Sequence, residues 1–307
     1  MKTWQDKDSS LYMGLPFMEI EGEYIPFPCV AEVKLDGEFQ YVIKKHGKLY
    51  LANKPEHGRI RTDMPALGSI DIPDDSVLLG ELVWGAGSNF YDFMRHKLEP
   101  DLNLAIFGCL RYDGEDIWQT HNYIDTRKLL EEQTFWNSNV AIAPRMVCRS
   151  QDELDRYFQK VVSQGFEGIV IKDPLAKYTN GVTGRWAKRK YTADSDLVII
   201  GFQSGSKKAK TLSIWVGHMV DGKIEPLTHV GGGFGVNTVT KESMLKILEG
   251  MVTGKTGDDY HVEPRIVVTV KHYGAIRNAD GSVSSLRHPQ FKCIRLDKTA
   301  EQIDTIV

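Results

Sequence analysis

Residues 30–52, VAEVKLDGEFQYVIKKHGKLYLA, limit the possible folds more than any other stretch of the chain. QYVIKKHGKLYLA consists of two segments of alternating character around His46-Gly47, which is how a β-hairpin reads. It follows directly on an apolar run that ends in Lys34 and breaks at Asp36-Gly37. Consecutive short strands joined by tight turns commit this part of the chain to antiparallel sheet. Three readings of Lys34 stay open here: a solvated surface lysine, half of a cross-strand ion pair, or a nucleophile held in a pocket.

Strands dominate the remainder. DDSVLLGELVW, LNLAIFGCLRYDG, EGIVIKD and RWAKRKY are further candidates, and helical patterning is confined to TRKLLEEQTFW, SQDELDRYFQKVVSQG and a later segment, TKESMLKILEG. The second of these has Ser150 and Glu153 as a capping box and Gly165 as a stop. After the polar stretch Thr192–Asp196 the chain turns to short strands and glycine-rich turns such as VGGGFGVN, the pattern of a small barrel or sandwich. The expectation is an α+β domain over 1–192 and a β-barrel domain over 193–307, with a hinge at 192–196. A length of 307 residues suits two domains of roughly 100–200 residues each.

A net charge of −3 argues against indiscriminate coating of nucleic acid and leaves room for a local basic groove. Cys29, Cys109, Cys148 and Cys293 are scattered without a C-x-x-C pair, which fits a reduced, cytoplasmic setting. No apolar run has the length of a signal peptide core or a membrane span, so no membrane partner is expected.

The charged residues inside apolar segments carry the chemistry. Lys34-Leu35-Asp36-Gly37 has the form K-x-D-G, and Glu81 interrupts an apolar strand, where an unpaired carboxylate is costly. Glu167 precedes a strand that ends in Lys172, and Lys188 and Lys190 are two apart, hence on one strand face. SLRHPQFKCIRLDK gathers Arg287, Lys292, Arg295 and Lys298 near the C-terminus. In this order the segments resemble the covalent nucleotidyltransferases, most closely short ATP-dependent DNA ligases of bacteriophages and bacteria, from Glu32 to Lys298.

The resemblance implies a nucleotidyltransferase (adenylation) domain followed by an OB-fold. It also implies sealing of nicks in duplex DNA by a monomer that uses ATP and Mg²⁺. Lys34 would be the nucleophile that takes AMP, helped by Lys188 and Lys190. A neutral amine is needed because the α-phosphorus is screened by anionic oxygens, and burial with nearby cations lowers a lysine's pKa. Glu81 would hold the ribose, Phe107 would stack on adenine, Glu32 would lie near the adenine edge and Glu167 would help place the metal. Arg295 and Lys298 would orient the β- and γ-phosphates, which requires the hinge to close.

Three positions depart from the family pattern. Phe39 stands where an arginine usually follows K-x-D-G, Lys54 where an arginine usually grips the nick 5′-phosphate, and Gly108 where an aspartate is common. Lys54, Arg59 and Arg61 are the DNA-binding candidates. The SGSKKAKT run at 204–211 reads as an exposed loop with incidental phosphate contacts. Alternative readings are an RNA ligase or capping guanylyltransferase with the same lysine chemistry, or a non-catalytic OB-fold protein that binds nucleic acid.

Overall fold

The computed structural model describes residues 15–22, 24–54, 60–62, 70–85, 88, 90–99, 102–133, 139–204, 211–235, 239–278 and 280–306. They fall into two compact units, Met1–Lys190 and Tyr191–Val307, of mixed α/β structure with sheet predominating. The polar stretch read as a hinge is mostly strand: Ala193, Asp194, Ser195 and Asp196 begin Ala193–Gln203 and pair with His272, Lys271, Val270 and Thr269. Their polarity does not prevent this, because each polar side chain has a partner. Ser195 Oγ is 3.0 Å from His272 Nε2, Lys292 donates to Asp194 at 2.5 Å, and Thr269 donates to Asp196 at 2.6 Å.

The first unit is built on two sheets. One runs in the order Met18–Gly22, Gly181–Lys190, Gly168–Lys172, Cys29–Lys34, Arg145–Cys148. The other runs Ile60–Arg61, Lys48–Ala52, Glu38–Lys45, Ser76–Val83, Asn103–Arg111, Val140–Ile142. The hairpin forms as expected, with His46 and Gly47 at φ 52° and 70°, the positive values a tight two-residue turn requires. Helix Gln151–Ser163 starts where Ser150 accepts from the Glu153 backbone N–H, and it buries Leu154, Phe158 and Val161 against the first sheet. Helix Phe90–His96, which the sequence pattern does not suggest, is tied to the K-x-D-G segment: the Asp36 carboxylate accepts from the Phe90 backbone N–H at 2.7 Å.

The second unit forms a sheet in the order Lys223–Val230, Ser213–Val220, Ala193–Gln203, Asp259–Val262, Val252–Thr256. Val267–His272 also pairs with the long strand and with Gln290–Ile294, and helix Lys241–Glu249 buries Met244 and Leu248 in this unit's core. Among the described residues, no helix is long and apolar enough to cross a membrane.

Candidate active site

Strand periodicity divides the first sheet into a core face and a site face. Ala31, Val33, Ile169, Ile171 and Ala187 pack on the core side. Their neighbours alternate to the other side, and the antiparallel register aligns them in rows: Lys34–Gly168–Lys190, Glu32–Val170–Lys188 and Val30–Lys172–Trp186. Residues far apart in sequence thus become a grid on three adjacent strands. Gly168 is required at the end of this grid, since its φ is 150° and a Cβ there would lie 2.1 Å from the Arg189 carbonyl oxygen.

Glu167, just before the Gly168 strand, is 7% exposed and joins the two ends of the first row. Lys34 Nζ donates to its Oε2, and Lys190 Nζ lies 2.6 Å from its Oε1. Lys34 is therefore ion-paired in a pocket wall, which sets aside the reading of a solvated surface lysine. Burial raises the Glu167 carboxyl, but the charge of Lys34 and the hydrogen bonds from Lys190 and Lys34 outweigh it and hold it below the usual range. Lys188 is shifted down by burial first, then by the charges of Lys34, Lys190 and Lys54. A concentrated positive field on one sheet face attracts anions, phosphates above all.

The opposite wall comes from the second sheet, where Phe39 pairs with Glu81. A cavity of about 410 Å³ lies between the walls, lined by Glu32, Lys34, Lys54, Glu81, Phe107 and Lys188 among others. K-x-D-G shapes its rim. Gly37 donates its backbone N–H to Glu81 Oε1 at 3.1 Å, and a Cβ at this glycine would lie 1.8 Å from the Leu82 carbonyl oxygen. Phe107 and Val170 face the same cavity, as a ring that stacks on a base requires. Gly108, in place of the common aspartate, packs against Leu79, whose Cδ1 would be 3.1 Å from an added Cβ.

Burial lifts the Glu81 carboxyl from 4.5 to about 7, against the pull of Lys34 and the Gly37 hydrogen bond. Below the unfolded value both states are protonated and nothing is lost. As pH rises through the folded value the unfolded chain ionises first, so this group's share of stability disappears across that window. Glu81→Gln should remove the effect. Relative to the parent, the Gln variant should gain up to about 3 kcal/mol between roughly pH 4.5 and pH 8. Urea midpoints at the two ends of the range measure it, and a pH-independent difference would contradict the shift.

Glu32 lines the cavity, but its carboxylate already accepts from Lys172 at 2.5 Å, Tyr123 at 2.8 Å and Arg127 at 3.3 Å. A base edge would share it with two buried cations. Lys172, 1% exposed, ends the EGIVIKD strand and takes no role from the sequence alone. It borders the cavity, with its Nζ 4.4 Å from the centre of the Trp186 ring and 4.7 Å from that of Tyr123. Its position two residues after Val170 is the available signal.

Arg61 is not at a DNA surface. It is 1% exposed, and its guanidinium donates to the Lys97 and Glu99 carbonyls at 3.2 and 3.1 Å, holding the segment after helix Phe90–His96. Arg59 lies outside the described residues, as does 205–210 of the SGSKKAKT run. Arg295 and Lys298 belong to the second unit, where both contact Asp196 Oδ2, at 2.5 and 2.6 Å. No three His, Cys, Asp or Glu side chains converge among the described residues.

A family model described as the ATP dependent DNA ligase domain matches residues 21–190. The DNA ligase of Thermococcus fumicolans is 30% identical across 98% of this chain and 55% of its own length. That of Thermococcus onnurineus is 31% identical across 69% of this chain and 38% of its own. The chain thus spans about half, or less, of the length of these relatives. Among solved structures, Pmar-Lig_PreS3 has a TM-score of 0.69 at 20% identity, covering 91% of this chain and 67% of that one. A Lig E DNA ligase from work on DNA binding with a minimal scaffold has a TM-score of 0.62 at 18% identity, covering 92% and 99%. The ligase domain of M. tuberculosis LigD has 0.52 at 20% identity, covering 96% and 99%. These structural likenesses establish a shared fold.

Proposed function

The chain belongs to the ATP-dependent DNA ligase family, and from that premise we propose that it seals nicks in duplex DNA through a lysyl-AMP intermediate on Lys34. The observation that carries the proposal is the convergence of Lys34, Glu81, Phe107, Glu167, Lys188 and Lys190 on one cavity and its rim, from four separate strands and one strand approach. In the first step Lys34 Nζ, as a free amine, attacks the α-phosphorus of ATP; an N–P bond forms, the bond to the bridging oxygen breaks and pyrophosphate leaves. In the second, the nick 5′-phosphate oxygen attacks the same phosphorus and displaces the lysine. In the third, the 3′-hydroxyl attacks the 5′-phosphorus and AMP departs.

Each residue has a task that follows from its position. Lys188 and Lys190 offset charge on the phosphate oxygens. Phe107 and Val170 grip the adenine faces, and Glu81 faces the ribose. Mg²⁺, when bound, would supply charge neutralisation at the phosphates, and Glu167 is the residue that would hold it. Lys34 is stored on Glu167 in an ion pair, so the pair must separate before the amine can attack. We assign the second unit as the OB-fold domain; its antiparallel seven-stranded sheet, in which the long strand Ala193–Gln203 pairs with three others, supports that assignment.

The test uses the purified protein with α-labelled ATP or GTP and Mg²⁺, followed by nicked duplex DNA. Label from ATP should attach covalently and be discharged by the nick as sealed strand appears. Attachment from GTP instead would indicate capping chemistry, and discharge only by RNA ends an RNA ligase.

A further inference from the structure

Phe39 and Lys54, two of the departures from the family pattern, are linked through the ring of Phe17. Phe39 lies edge-on to Phe17, with ring centres 5.7 Å apart and planes at 89°, and edge-on to the fully buried Tyr41 at 4.9 Å. The ammonium of Lys54 sits over the outer ring of this cluster, 4.6 Å from the centre of Phe17. Phe17 is held on several sides. Its backbone N–H donates to Asn180 Oδ1 at 3.3 Å, its carbonyl accepts from Gly181 at 2.8 Å, and the Tyr41 hydroxyl donates to the carbonyl of neighbouring Pro16 at 3.2 Å. Phe17, Phe39 and Lys54 all line the cavity, and the charge of Lys54 is felt at Lys188.

We infer that Phe17 and Phe39 are positioning residues that hold the Lys54 ammonium as a phosphate-binding charge. The aromatic face attracts the cation through its quadrupole while leaving its N–H donors available to an anion. An arginine would have fixed a phosphate with two parallel hydrogen bonds. A lysine offers one mobile point charge, and the ring beneath it restores part of the lost definition. Phe39 contributes from behind: its edge contact with Phe17 keeps the ring from turning away. The ligand class is a phosphate, carried either by ATP or by the 5′ end of a nick. The inference rests on the ligase reading for the identity of those two carriers.

A double-mutant cycle decides it, because coupling isolates contact from general packing. The variants are Phe17→Leu, Lys54→Met and their double, with Phe17→Tyr as the version that keeps the aromatic face. Two quantities are measured for each: the ATP dependence of self-labelling, and the affinity ratio for nicked duplex with and without a 5′-phosphate. Phe17→Leu should cost about 3- to 10-fold in at least one of them, the size of a partly exposed cation–π contact. The loss should vanish in the Lys54→Met background, and Phe17→Tyr should retain most of the parent value. Coupling in the labelling assay identifies the nucleotide as carrier, and coupling in the affinity ratio the nick. A loss that is the same in both assays whether Lys54 is present or replaced, or failure of Tyr where Leu also fails, overturns the inference and leaves Phe17 as packing. A parent protein that takes no label and ignores the 5′-phosphate instead removes the ligase reading and, with it, this inference.

Discussion

Lys34→Arg should fold normally and take no label from α-labelled ATP. The guanidinium keeps the positive charge that Glu167 holds between Lys34 and Lys190, and its flat fork suits a carboxylate at least as well as an ammonium does. The buried Glu167 therefore keeps a partner, and the cost of leaving a carboxylate unpaired is avoided. What disappears is the lone pair, because a group with a pKa above about 12 offers no neutral nitrogen at working pH. Labelling should fall to background while the melting temperature stays close to that of the parent. Sealing of a nick that already carries AMP should survive in part, since that step makes no bond to residue 34. Persistent labelling of the Arg variant would exclude Lys34 as nucleophile and the proposed chemistry with it.

Sequence pattern reveals the elements better than it reveals their neighbours. Alternation in QYVIKKHGKLYLA, EGIVIKD and RWAKRKY marks strands, and two-residue spacing puts Lys188 and Lys190 on one face. Register is a property of pairs of strands, and nothing in EGIVIKD states that Gly168 will lie opposite Lys34 and Lys190. Lys172 is visible in the sequence as the end of a strand but gets no role there for that reason: only the row shared with Trp186, and the depth of Glu32 behind it, make a buried lysine tolerable. Arg61 reads as a DNA contact because an arginine that reaches solvent and one absorbed by loop carbonyls look alike in one dimension. The polar residues at 194–196 resemble a linker because their partners, Lys292, His272 and Thr269, lie more than seventy positions downstream. Phe17 carries no signal at all; its role arises from the chain entering beside Gly181 and the rings of the other sheet. The family resemblance, resting on ordered motifs, points to the lysine cluster, Glu81 and Lys54 but says nothing about the rings that surround Lys54.

Replacing both Arg295 and Lys298 with alanine should slow self-labelling by about a hundredfold or more, a loss on the scale of removing preorganised charge from a transition state, and largely spare sealing of a pre-adenylated nick. On the role that the family resemblance implies for these two residues, the reason lies in what the first step alone requires. Pyrophosphate must leave in line with the attack of Lys34, so its growing charge needs fixed cations, and after that step no pyrophosphate remains. Both side chains are between a quarter and a third exposed and share Asp196 Oδ2, while Asp297 holds the Arg295 Nε and Nη2 at 2.9 and 2.7 Å. Burial raises the Asp196 carboxyl, but hydrogen bonds from Lys298 and Thr269 and the charges of Lys298 and Arg295 bring it below the usual range. These acids cancel the cations' charge in the resting protein, so the pair is not a standing anion trap; phosphate has to compete for it. The double variant also strips Asp196 of its partners, which would lower stability by itself. Lys298→Ala alone, with Arg295 still on Asp196, controls for that and should show a smaller loss in the same step. Single-turnover rates for the two steps decide between roles. Equal losses in both steps, or a loss confined to sealing with a weaker salt dependence of DNA binding, would make these residues part of the DNA-gripping surface and reject a role at the triphosphate.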